Sequence, residues 1–168
     1  MRPEPGAPWG WDDAHRRLAI AVVGASGAVG RELLSLLIDA GHPRERIEVC
    51  ARREQTLDLP RAGRFEVRGG GALGKVDLAF LCTPSDVSLS LAPSLAEMGT
   101  RVVDLSSALR MRPEIPLVIP EINGARLDED PRIVANPNCT TVVAALPLAA
   151  LDRVAGLEEA IVVSYQAA

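Results

Sequence analysis

Lysine is nearly missing from this chain: Lys75 is the only one among 18 basic residues in 168, and arginine supplies the rest. We read that skew as a composition bias of the genome, not as chemistry. A net charge of −4 and a pI near 5.2 argue against a nucleic-acid binder. Histidine is limited to His15 and His42, and cysteine to Cys50, Cys82 and Cys139, with no Cys-x-x-Cys pair. That scarcity argues against a zinc site or a disulfide framework and points to a reducing cytoplasm. Long apolar runs are missing too. Leu18 to Val23 is too short to span a membrane, and Asp12 and Asp13 before it are wrong for a signal peptide. Repeats and low-complexity tracts are also absent. The expectation is a soluble cytoplasmic protein with neither a nucleic-acid nor a membrane partner.

What remains is globular: 48% hydrophobic and 24% charged residues, enough for one domain with a real core. Residues 1–17, with three prolines, two tryptophans and no periodicity, read as a loose extension. Leu18 to Val23 reads as a strand buried on both faces. Val29, Leu33, Leu36, Leu37 and Ala40 then recur at helical spacing, with Gly41 as the stop. Further strands are expected at Ile47–Cys50, weakly at Phe65–Val67, and at Val76–Cys82, Arg101–Asp104, Leu117–Ile119 and Ile133–Ala135. Helices are expected from Asp86 to Met98 and from Thr140 to about Leu151, the second in conflict with Pro147, since a mid-helix proline costs ~3 kcal/mol. Ala160 to Tyr165 reads as a new strand. Alternating strands and helices predict an α/β fold, a Rossmann-like doubly wound parallel sheet.

Gly24-Ala25-Ser26-Gly27-Ala28-Val29-Gly30 sits between the first strand and its helix, a Gly-x-x-Gly-x-x-Gly variant of the dinucleotide loop. Without side chains the backbone turns tightly and meets a pyrophosphate at a helix N-terminus. The second strand ends in Arg52-Arg53 where an acidic residue would favour NAD. The pair suits the 2′-phosphate of NADP, against the alternative of a solvated surface pair beside Glu54.

Cys139 opens a helix in Asn136-Pro137-Asn138-Cys139-Thr140-Thr141, a placement that favours the nucleophilic thiolate. The alternative is a small buried hydrophobe. Asn138 can cap that helix or hold an oxyanion. Cys50 and Cys82 lie at strand ends and read as structural, and both histidines read as solvated surface residues. Arg110, after the Ser106-Ser107 loop, can grip an anion or sit in a surface salt bridge.

Taken together, these segments resemble the aspartate-semialdehyde dehydrogenase family over residues 18–168. The matching pieces are Val22 to Gly30, Asp104-Leu105-Ser106-Ser107-Ala108-Leu109-Arg110-Met111, Val118 to Asn123, Ala135 to Thr141, and Val162-Val163-Ser164-Tyr165-Gln166-Ala167. The resemblance implies reductive dephosphorylation of L-4-aspartyl phosphate to aspartate semialdehyde, at the branch toward lysine, threonine, methionine and isoleucine. It implies Cys139 as the nucleophile, Gln166 positioning the substrate, and Arg110 with Asn138 on the substrate phosphate. Ser26, Gly27, Ala28 and Val29 would contact NADP, with Arg52 and Arg53 near its 2′-phosphate.

Family members are much longer homodimers or homotetramers. They draw a general-base histidine, a substrate arginine, a phosphate lysine and a Ser-Gly-Ala-Gly segment from residues that have no counterpart here. The expectation is therefore an N-terminal piece with little activity alone. It would comprise the extension 1–17, an NADP-binding domain 18–138, and the first helix and strand of an α+β catalytic domain in 139–168. The alternatives are an N-acetyl-gamma-glutamyl-phosphate reductase-like enzyme and a non-catalytic nucleotide-binding module.

Overall fold

Ile20-Ala21-Val22-Val23 has no polar side chain to turn toward water, and all four residues are buried as strand β1. The computed structural model describes residues 14–70 and 73–165. After β1 (Ile20–Val23) come α1 (Ala28–Asp39), β2 (Ile47–Cys50), β3 (Gln55–Leu59), β4 (Gly63–Val67), β5 (Leu78–Leu81) and α2 (Ser85–Glu97). They are followed by β6 (Arg101–Asp104), α3 (Pro120–Asn123), β7 (Ile133–Ala135) and α4 (Cys139–Ala155).

Five strands form one parallel sheet in the order β2-β1-β5-β6-β7. Alternation along β1 divides the core. Ile20 and Val22 pack with Leu34 and Leu37 of α1 on one face, and Ala21 and Val23 pack with Ala92 and Leu95 of α2 on the other. Helices on both faces make the sheet doubly wound.

Several expectations are met at their boundaries, while others change. The weak strand at Phe65–Val67 is the second arm of an antiparallel hairpin, β3 with β4, which replaces a crossover helix. Leu117–Ile119 contributes one bridge, Leu117 to Ala135, and no full strand. Of the expected loose extension, His15–Arg17 forms a 3-10 turn. Pro147 lies inside α4 without ending it, as Pro93 does in α2. Each proline leaves the carbonyl four residues earlier without its helical donor. Those residues, Val143 and Leu89, are exposed, so water can reach the freed groups.

Two expectations fail. Ala160–Tyr165 carries no sheet ladder, because no described strand lies beside it to supply hydrogen bonds. His42 is not a surface residue: it is 3% exposed, tucked under the turn between α1 and β2. His15, by contrast, is exposed as expected.

Candidate functional site

All five strands of the sheet are parallel, so their C-terminal ends share one edge. β1 continues to β2 on one side, while β5 and β6 extend the sheet on the other. The crevice where strand order reverses therefore lies between β1 and β5. The glycine loop leaves β1 at that crevice. Gly24 has φ +83°, and a Cβ there would meet the Cys82 carbonyl oxygen at 2.2 Å, so the two strand ends touch backbone to backbone. Gly24 and Ala25 donate to the Cys50 carbonyl of β2 at 2.9 and 3.1 Å, and Gly27 donates to Gly24 at 3.1 Å. A Cβ on Gly30 would sit 2.6 Å from the Ala25 Cα, so this glycine lets α1 lie against the loop.

Gly27 caps α1 without a side-chain bond, and the first turn holds no acidic residue. The helix thus presents free N–H donors and an uncompensated positive dipole end, which suits a phosphate. Ser26, Gly27, Ala28 and Val29 are exposed around it. Arg52 and Arg53 stand exposed just after β2, on the same sheet edge as the loop. Neither guanidinium forms an ion pair with a described residue.

A second group gathers at β6 and β7. Arg110 donates from Nε to the Asn136 carbonyl at 2.9 Å and from Nη2 to the Leu105 carbonyl at 3.1 Å. Three N–H groups of its guanidinium remain for other acceptors. Asn138 caps the helix, since Oδ1 accepts the Thr140 N–H at 2.9 Å. Cys139 is the first residue of α4 and is exposed, with Sγ 3.7 Å from Asn138 Oδ1 and 3.9 Å from Thr140 Oγ1. It is not a buried hydrophobe. Burial pushes the Cys50 and Cys82 thiols up to about 11, which keeps both protonated and inert.

The two groups share the edge but not a contact. β1 and β7 are three strand spacings apart, about 14 Å at ~4.8 Å per step. Gln166 lies outside the described residues. Reading the sequence missed what lies between the groups: the Cys82 carbonyl, the Thr83–Ser88 hydroxyl pair at 2.8 Å, and the Ser85–Ser107 pair at 3.0 Å. The Thr-Pro-Ser turn after the strong strand β5 was the available signal. Among the described residues no His, Cys, Asp and Glu group is placed to hold a metal, and no helix is long and apolar enough to cross a membrane.

Comparison with known proteins decides the family. The model for the semialdehyde dehydrogenase NAD binding domain matches residues 19–130. The chain belongs to this family. It is 35% identical over 162 residues to an aspartate-semialdehyde dehydrogenase of Bacillus subtilis, covering 90% of this chain and 45% of the relative. A Synechocystis protein of the same name is 34% identical over 155 residues, covering 90% and 46%. Among solved structures, aspartate semialdehyde dehydrogenase II of Vibrio cholerae, complexed with ASA, superposes with a TM-score of 0.74 at 29% identity. That match covers 83% of this chain and 47% of the other. The chain thus spans under half the length of these relatives. The Rossmann-like fold class and the resemblance read from the sequence both stand. A nicotinamide nucleotide is the cofactor class of such a domain.

Proposed function

We propose that this chain is the nucleotide- and thiol-bearing half of an NADP-dependent aspartate-semialdehyde dehydrogenase, reducing L-4-aspartyl phosphate to aspartate semialdehyde. The observation that carries the proposal is the shared sheet edge, with an uncapped glycine-loop helix at one end and, at the other, an exposed thiol three residues after the Asn136 carbonyl that Arg110 holds. In this reading the N–H groups around Ser26, Gly27, Ala28 and Val29 hold the pyrophosphate, and Arg52 and Arg53 pair with the 2′-phosphate. Arg110 takes the acyl phosphate and steadies it as it leaves. Cys139 attacks the acyl carbon, so a C–S bond forms as the C–O bond to phosphate breaks. A nicotinamide nucleotide held at the glycine loop would supply hydride to the acyl carbon, and the C–S bond would then break to release the aldehyde and return Cys139 as the thiolate. Gln166 would position the substrate. The boundary near residue 138, the cytoplasmic setting and a homodimeric or homotetrameric assembly belong to the same proposal.

The chain's own histidines cannot serve as general base. His15 precedes β1 and His42 precedes β2, so both lie at the opposite edge of the sheet from Cys139. An acid–base group is worth about 10²–10⁴-fold. Turnover by the 168-residue chain alone is therefore expected to be negligible, although it binds nucleotide.

Titration of the chain with NADPH and NADH, followed by nucleotide fluorescence, tests the reading. NADPH should bind tighter, and the double variant Arg52→Ala, Arg53→Ala should bring the two together. Equal affinities in the unaltered chain would contradict the NADP assignment. No binding of either nucleotide would contradict the whole proposal.

A further inference from the structure

Asp104 is a carboxylate with no exposed surface, at the C-terminal end of β6, and the chemistry above makes no use of it. Its oxygens are committed locally. Oδ1 accepts the Ser106 N–H at 3.1 Å, and Oδ2 accepts the Ser106 hydroxyl at 2.9 Å. The Ser106 oxygen in turn accepts the Ala108 N–H at 3.1 Å. Two successive side-chain turns therefore set the course of the loop that ends in Arg110. The same residue acts in the other direction through its backbone. The Asp104 carbonyl accepts the Asn136 N–H at 2.8 Å, where the chain leaves β7 for Cys139. Arg110 closes the ring by donating to the Asn136 carbonyl.

We propose that Asp104, acting through Ser106, is a positioning residue that holds the Arg110 guanidinium in register with the Cys139 thiol. The proposal rests on the anion-binding role given to Arg110 above. A buried carboxylate is costly unless its lone pairs are met. Here they are met by the one residue whose hydroxyl also orders the loop. Loss of that hydroxyl leaves Oδ2 and the Ala108 N–H without partners, and the loop must shift to rehydrate them. Arg110 moves with it, while the Asn138 cap at the thiol is untouched.

The test compares alkylation of Cys139 by iodoacetate, an anion, and iodoacetamide, its neutral analogue, in the 168-residue chain. Mass spectrometry of the Cys139 peptide separates its rate from those of Cys50 and Cys82. Arg110 should favour the anion, so Arg110→Ala should lower the iodoacetate-to-iodoacetamide rate ratio by about two- to fivefold, the range of a partly exposed ion pair. Ser106→Ala should lower it similarly, and Ser106→Thr, which keeps the hydroxyl, should restore it. Asp104→Ala probes the same link a second way, since it removes the acceptor of the Ser106 hydroxyl, and the ratio should fall there too. General loosening of the fold would change both rates together, not their ratio. If Arg110→Ala lowers the ratio while both the Ser106→Ala and Asp104→Ala variants leave it unchanged, the positioning role is wrong and the anion-binding reading stands. If Arg110→Ala itself leaves the ratio unchanged, the anion-binding reading is wrong and the positioning role goes with it.

Discussion

Two stretches of comparable apolar content meet opposite fates in this chain. β1, β2 and β5 are dominated by valine, leucine, isoleucine and alanine, and the sheet interior they form is closed on both faces. α4 and the residues after it are equally apolar, yet α4 has no buried residue and Ile161, Val162 and Val163 are exposed. A groove of about 520 Å³, lined by Thr140, Ala144, Leu148 and Val162 among others, runs between them. The difference shows how helix and strand depend on their surroundings. A helix satisfies its own backbone and needs little more than a cap, which Asn138 provides. A strand has no hydrogen bonds until a neighbour arrives. The nucleotide region therefore closes over its core, while among the described residues the thiol-bearing region leaves its apolar side chains exposed.

Core truncation sharpens that contrast most. Leu34→Ala, at a fully buried site against β1, should cost about 2–5 kcal/mol in denaturant unfolding. Val154→Ala, on the exposed side of α4, should stay within about 0.5 kcal/mol. Similar losses at both sites would break the comparison. Next in size is the cap: Asn138→Ala should cost about 0.5–2 kcal/mol of local helix stability. The loss should appear as faster amide exchange over residues 139–143, while β1 and β5 exchange as before.

The smallest effect is a pH dependence. Burial lowers the His42 pKa below its ordinary 6.5, offset in part by hydrogen bonds to the Leu18 and Arg46 backbone. The unfolded chain then takes up the proton first. Stability is complete above pH 6.5 and declines as pH falls from there to the folded-state value. Melting temperatures measured across that interval should fall with pH, and His42→Gln should flatten the slope.

Legibility followed the strength of local signals. β1 and β5 stand out because buried parallel strands are continuous apolar runs, β2, β6 and β7 because of their β-branched pairs, and α1 and α2 because of their helical spacing and glycine stops. The first arm of the hairpin, Gln55-Thr56-Leu57-Asp58-Leu59, was missed because only two of its residues face the core. His42 was missed because its burial comes from the packing of a turn, which no periodicity reports. The strand expected from Ala160 carries a strong β signature, but a strand is made by its neighbour and no described strand lies beside it. At the site, the glycine loop and Cys139 were legible from their positions before helices. Thr83, Ser85 and Ser107 were not, because their place on the edge depends on strand order, which a sequence does not display.

Hydrogen exchange of the 168-residue chain with and without NADPH tests the central claim most directly. The account predicts slow exchange in β1, β5 and β6, weaker protection from residue 139 onward, and NADPH protection centred on Gly24 to Gly30. Uniform protection of both regions, or NADPH protection that leaves the glycine loop unchanged, would contradict it.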